Sequence, residues 1–101
     1  MKKRQDVTAF AYDRRGRLVA VGKNSYVKTH PMQAKIAARV GLPKKIFLHA
    51  EMDALVKARG RRIHKLVVVR VDSAGRYACA KPCAVCAEAI RMARIEHVSH
   101  T

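Results

Sequence analysis

Four side chains at two places in the sequence could share one piece of chemistry. His49 and Glu51 stand two residues apart, and Cys83 and Cys86 stand three apart further along the chain. An imidazole and two thiolates are ligands of zinc. A zinc site that acts on a substrate keeps three protein ligands and leaves its fourth position open. His49, Cys83 and Cys86 fill those three places. Glu51 is then left over as a carboxylate that can carry protons.

The spacing also says which elements must position these groups. Residues three apart on a helix share a face, so Cys83 and Cys86 can reach one metal ion. Pro82 suits the start of that helix, where the positive end of the dipole lowers a thiol pKa. His49 precedes Met52, Leu55 and Val56, which read as the inner face of a second helix. On an ideal helix Glu51 points about 200° away from His49, so one faces the metal and the other a neighbouring pocket.

A C-x-x-C pair alone is also a redox dithiol or half of a structural zinc finger. A redox pair has no need of the upstream H-x-E. A closed structural site needs a fourth ligand, and Cys79, four residues before Cys83, is the available one. Cys79 is read instead as a small buried residue of the strand leading into the site.

His49-Ala50-Glu51 followed by Pro82-Cys83-Ala84-Val85-Cys86 is the pattern of zinc-dependent base deaminases, and over most of its length the chain resembles the cytidine and deoxycytidylate deaminase superfamily. The resemblance implies an α/β fold, the cytidine deaminase-like three-layer α/β/α sandwich with a mixed sheet. It also implies Zn2+ on His49, Cys83 and Cys86, with Glu51 as the catalytic proton carrier. Asn24, after the second strand, would bind the sugar, although Asn there is also a routine turn former. Ala50, Ala80 and Lys81 would lie beside the base. The substrate implied first is a cytosine nucleotide or nucleoside, above all dCMP, converted to dUMP with release of ammonia. The alternatives are a deaminase acting on cytosine or adenine within single-stranded DNA or RNA, and a non-enzymatic, basic, structural-zinc protein that binds nucleic acid.

Composition bounds these readings. The 101 residues suit a single domain, 1–101, whose core is built from Ala, Val, Ile and Leu, since only five residues are Phe or Tyr. An odd count of three cysteines argues against a disulfide framework and for a reducing compartment. No apolar run is long enough to span a bilayer and no signal-peptide pattern follows Met1, so the expectation is a soluble, cytoplasmic protein. The net charge of +15 comes in clusters at Lys2–Arg4, Arg14–Arg17, Lys44-Lys45 and Lys57–Lys65. Such a surface favours phosphorylated substrates or polyanions, nucleic acid included.

In chain order, Val7–Tyr12 and Leu18–Gly22 read as a hairpin around Asp13-Arg14-Arg15-Gly16. Met32–Val40 reads as a helix after Thr29-His30-Pro31, its Ile36 and Val40 facing the core, with His30 either a capping side chain or a phosphate or base contact. The helix after His49 runs to Ala58 or Arg59 and stops at Gly60. Leu66–Val71 reads as a central strand covered on both faces. Tyr77–Ala80 is a short segment leading to Pro82. The helix from Cys83 to about Ala93 is expected to turn Ala87, Ile90 and Ala93 toward the sheet, and Ile95–His100 to form a final strand parallel to the earlier one. Relatives place a helix before the hairpin and continue beyond the last strand. The reduced form leaves one sheet face short of cover, which predicts a homo-oligomer.

Overall fold

The computed structural model describes residues 6–25, 29–41, 49–58, 60–81 and 83–101. The expectations placed on Lys2–Arg4, Lys44-Lys45, Arg59 and Pro82 lie outside the described residues.

Among the described residues five strands form one mixed sheet, joined by three helices. β1 (Asp6–Tyr12) and β2 (Leu18–Lys23) make the expected antiparallel hairpin. β3 (Lys65–Val71) lies antiparallel to β1 on its other side. The far edge of β3 is shared. β5 (His97–His100) runs parallel to its first half, and β4 (Tyr77–Ala78) antiparallel to its end. Thr101 closes the junction: its N–H donates to the Val68 carbonyl at 3.0 Å and its hydroxyl to the Ala78 carbonyl, while its own carbonyl accepts from the Ala80 N–H at 2.8 Å.

The helices are α1 (Pro31–Arg39), α2 (Ala50–Ala58) and α3 (Ala84–Met92). His30 is the N-cap of α1, its Nδ1 accepting from the Met32 N–H at 3.1 Å ahead of Pro31 at the first helical position. His30 therefore takes the capping role of its two expected ones. Gly60, with φ +81°, stands just beyond α2 in the left-handed conformation that stops a helix.

The two faces of the sheet differ. One carries Ala9, Ala11, Ala20, Leu66 and Val68, all buried, under α2 and Ile90 of α3. α1 packs behind, with Ile36 and Ala37 against Met52, Val85 and Ala89. The opposite face carries Phe10, Val21, Val67 and Val69, only half-buried. Among the described residues no helix packs there. β3 is thus central in the ladder, but it is fully covered on one face and not on both.

Two helix faces also differ from expectation. The buried side chains of α3 are Val85, Cys86, Ala89 and Ile90, whereas Ala87 and Ala93 are exposed. Cys83 is the N-cap with extended backbone (φ −72°, ψ 173°), so helical counting begins after it. In α2, Met52 faces α1 and α3, and the sheet is met by the stripe Ala50, Ala54 and Ala58.

That stripe explains Gly22. A Cβ built on Gly22 would lie 2.1 Å from the Ala50 carbonyl oxygen and 2.3 Å from the Ala54 nitrogen. Both are backbone atoms, so no rotamer change relieves the clash. Gly22→Ala is expected to cost roughly 1–3 kcal/mol or more, because α2 must move off the sheet. Chemical denaturation measures the loss.

Candidate metal centre

Two helix starts meet at the site. The residue before α2 is His49, whose carbonyl accepts the Asp53 N–H at 2.9 Å, and the residue before α3 is Cys83, whose carbonyl accepts the Ala87 N–H at 2.8 Å. His49 Nδ1 lies 3.2 Å from Cys86 Sγ and 3.4 Å from Cys83 Sγ. Cys86 is fully buried, while His49 and Cys83 are half-buried.

These separations suit a shared ion. A tetrahedral zinc with ordinary Zn–N and Zn–S bonds holds its nitrogen and sulfur ligands roughly 3.6 Å apart. The charge balance points the same way. Hydrogen bonding with Cys86, helped by His49, holds the Cys83 thiol down to about 3. The same pairing with Cys83, together with burial, pushes the Cys86 thiol far up. The ionised Cys83 sulfur thus opposes ionisation of Cys86, and a divalent cation is the group that lets both ionise side by side.

Glu51 sits in the first turn of α2 and is buried, with 6 % of its surface exposed. Burial raises its pKa, against the smaller lowering effects of a hydrogen bond with Cys86 and the charge of His49. A carboxyl held up in this way, next to a ligand thiol, is a stronger base than a solvated carboxylate, which suits a group that takes a proton and passes it on. Because His49 precedes the helix, its separation from Glu51 is set by the helix entry and not by helical rotation alone.

His49, Cys83 and Cys86 form a set of possible ligands lying within 4.8 Å of one another. Every His, Cys, Asp and Glu of the sequence falls among the described residues, and none adds a fourth ligand to this set. Cys79 is exposed and stands beyond β4; its carbonyl accepts from Arg70 Nη1 at 3.2 Å. The expectation of a buried Cys79 is therefore corrected: β4 ends at Ala78, so Cys79 is not carried inward by a strand.

The remaining candidates stand outside the ligand set. Asn24 follows β2 and pairs reciprocally with Val7: its Oδ1 accepts the Val7 N–H at 3.0 Å, and its own N–H donates to the Val7 carbonyl at 3.2 Å. Ala50 is buried against the sheet at the first turn of α2. Ala80 is buried, its N–H bonded to Thr101, and Lys81 is exposed.

Asp53 is a contributor that sequence reasoning passes over. It is buried, and its Oδ2 accepts from the Lys23 N–H at 2.9 Å and from Lys57 Nζ at 2.9 Å. It ties the start of α2, and hence His49 and Glu51, to the end of β2. Its only trace in the sequence is the i, i+4 pairing with Lys57.

Among curated protein sequences none matches the chain significantly. A family model does, and it covers residues 1–101 under the description cytidine and deoxycytidylate deaminase zinc-binding region. With the α/β fold and the His/Cys/Cys group in place, the chain belongs to that family.

Proposed function

We propose that the protein is a hydrolytic deaminase of cytosine nucleotides, with dCMP as its first substrate and dUMP and ammonia as its products. The observation that carries this reading is the set of three converging ligands with no fourth among the described residues, flanked by buried Glu51. A structural zinc finger would close the set with four ligands, which weighs against the non-enzymatic reading.

In this reading His49, Cys83 and Cys86 hold zinc. When bound, zinc supplies the Lewis acidity that brings the pKa of a water close to neutrality. Glu51 accepts a proton from water and delivers it to the ring nitrogen beside the amine-bearing carbon. The water oxygen ends on that carbon. Glu51 then takes the remaining proton from that oxygen and passes it to the amine, which leaves as ammonia as the carbon–oxygen double bond forms. Burial of Glu51 supports the role, since a carboxylate in water is too weak a base to take the proton efficiently. Asn24 is assigned to the sugar, and Ala50, Ala80 and Lys81 to the surroundings of the base.

A second reading, action on a base within single-stranded nucleic acid, is favoured by one observation. Arg14, Arg15, Arg17 and Arg62 line a groove of about 320 Å³ with Asp13 and His64. It lies at the end of the sheet away from the cysteines, suited to phosphates beyond the reacting nucleotide. Association into a homo-oligomer is supported by the half-buried sheet face bearing Phe10, Val21, Val67 and Val69. Among the described residues no helix is long and apolar enough to cross a membrane, and a cytoplasmic location is part of the same proposal.

The substrate is tested by ammonia release from cytidine, deoxycytidine, CMP, dCMP, dCTP and a cytosine-containing single strand. The expected result is preferential turnover of dCMP. Turnover of the strand alone would transfer the assignment to a polynucleotide substrate.

A further inference from the structure

A second group of metal-ligating side chains lies at the other end of the sheet. His64 stands immediately before β3 and His97 opens β5. The two strands are parallel neighbours with Lys65 opposite His97, and the His97 N–H donates to the His64 carbonyl at 3.3 Å. The His64 N–H donates in turn to the Tyr12 carbonyl of β1 at 2.8 Å. Both backbones are therefore fixed by the sheet, not carried on a loose loop. The imidazole rings meet edge to face with centroids 4.8 Å apart. Glu96 places Oε2 3.7 Å from His64 Nδ1. One ligand atom from each of the three residues lies within 4.8 Å of the other two, in an open pocket shared with Lys65, Val98 and Ser99.

We propose that His64, Glu96 and His97 form a second metal site, which takes a borderline divalent transition ion such as Zn2+. The ligand set selects the class of ion. Mg2+ and Ca2+ take oxygen ligands, whereas two imidazoles and one carboxylate suit zinc, nickel or copper. Glu96 and His97 are exposed, so their side chains have the rotamer freedom to close the remaining distance around an ion. Lys65 adjoins the cluster, and Arg62 shares a groove with His64. Their positive charge opposes a cation, and no thiolate offsets it. The site is therefore weaker than the one at Cys83 and Cys86. The two are separate: α2, roughly 13 Å long, runs from His49 toward the connection that leads to His64.

The test is a Zn2+ titration of the whole protein by calorimetry, with bound zinc counted by elemental analysis. The wild type is expected to bind two ions per chain in two affinity classes. His97→Gln and Glu96→Gln, both at exposed positions, should each lose the weaker class and keep the tighter. Retention of the tight ion shows that the variant is folded. A single equivalent in the wild type, or a weaker equivalent that persists in both variants, would overturn the proposal. Neither result would bear on the deaminase reading, which concerns the tight ion.

Discussion

Replacing Glu51 by glutamine is expected to leave zinc bound and to lower turnover by roughly 10²–10⁴-fold. Glutamine keeps the size of the side chain and can still hydrogen-bond, but it cannot exchange a proton. Glu51 is not one of the three converging ligands, so the tight metal should remain. Its burial makes the substitution mild for folding, because a neutral amide is easier to bury than a charge. The measurement is kcat by ammonia release, with zinc content determined on the same sample. Near-normal kcat with zinc in place would remove Glu51 from the chemistry. Loss of zinc in this variant would make it a ligand.

Cys86→Ala is expected to fail differently. Cys86 is fully buried and lies 3.2 Å from His49 Nδ1, so alanine removes a ligand and leaves only His49 and Cys83. Tight zinc should be lost, and with it the part of stability that metal binding supplies. At free zinc 100-fold above the dissociation constant of the tight site that part is about 2.7 kcal/mol, so the variant should lose the rise in melting temperature that the wild type shows at zinc too dilute to fill the weaker His64, Glu96 and His97 site. A Cys86→Ala protein that retains one tightly held zinc would contradict the ligand assignment.

The contrast between these variants reflects what the sequence makes legible. Metal ligands are readable because their chemistry restricts residue type and their spacing restricts geometry, and His49, Cys83 and Cys86 do converge. The strands of the hairpin and the parallel β3–β5 pair are readable for a similar reason, since β-branched runs and a helical crossover leave few arrangements. Cys79 is not readable in this way. Its burial depended on where β4 stops, and a two-residue strand leaves no periodic signal. The buried face of α3 is missed because Cys83 is an N-cap, so counting on from it selects Ala87 and Ala93 in place of Val85 and Ala89. The alanine stripe of α2 is hidden for another reason. Hydropathy favours Met52, Leu55 and Val56, while the sheet is met by small residues packed over Gly22. Asp53 is overlooked because its partner is a backbone N–H thirty residues away.

A three-ligand metal centre with an adjacent buried acid is expected to remove an amine from cytosine. The most direct measurement is ammonia release from dCMP by one preparation in three states: as isolated, after removal of metal by a chelator, and after addition of one equivalent of Zn2+. The expected result is activity that disappears with the metal and returns with it, accompanied by formation of dUMP. A fully reconstituted, folded protein that releases no ammonia from dCMP, from the other cytosine nucleosides and nucleotides, or from a cytosine-containing strand would contradict the account.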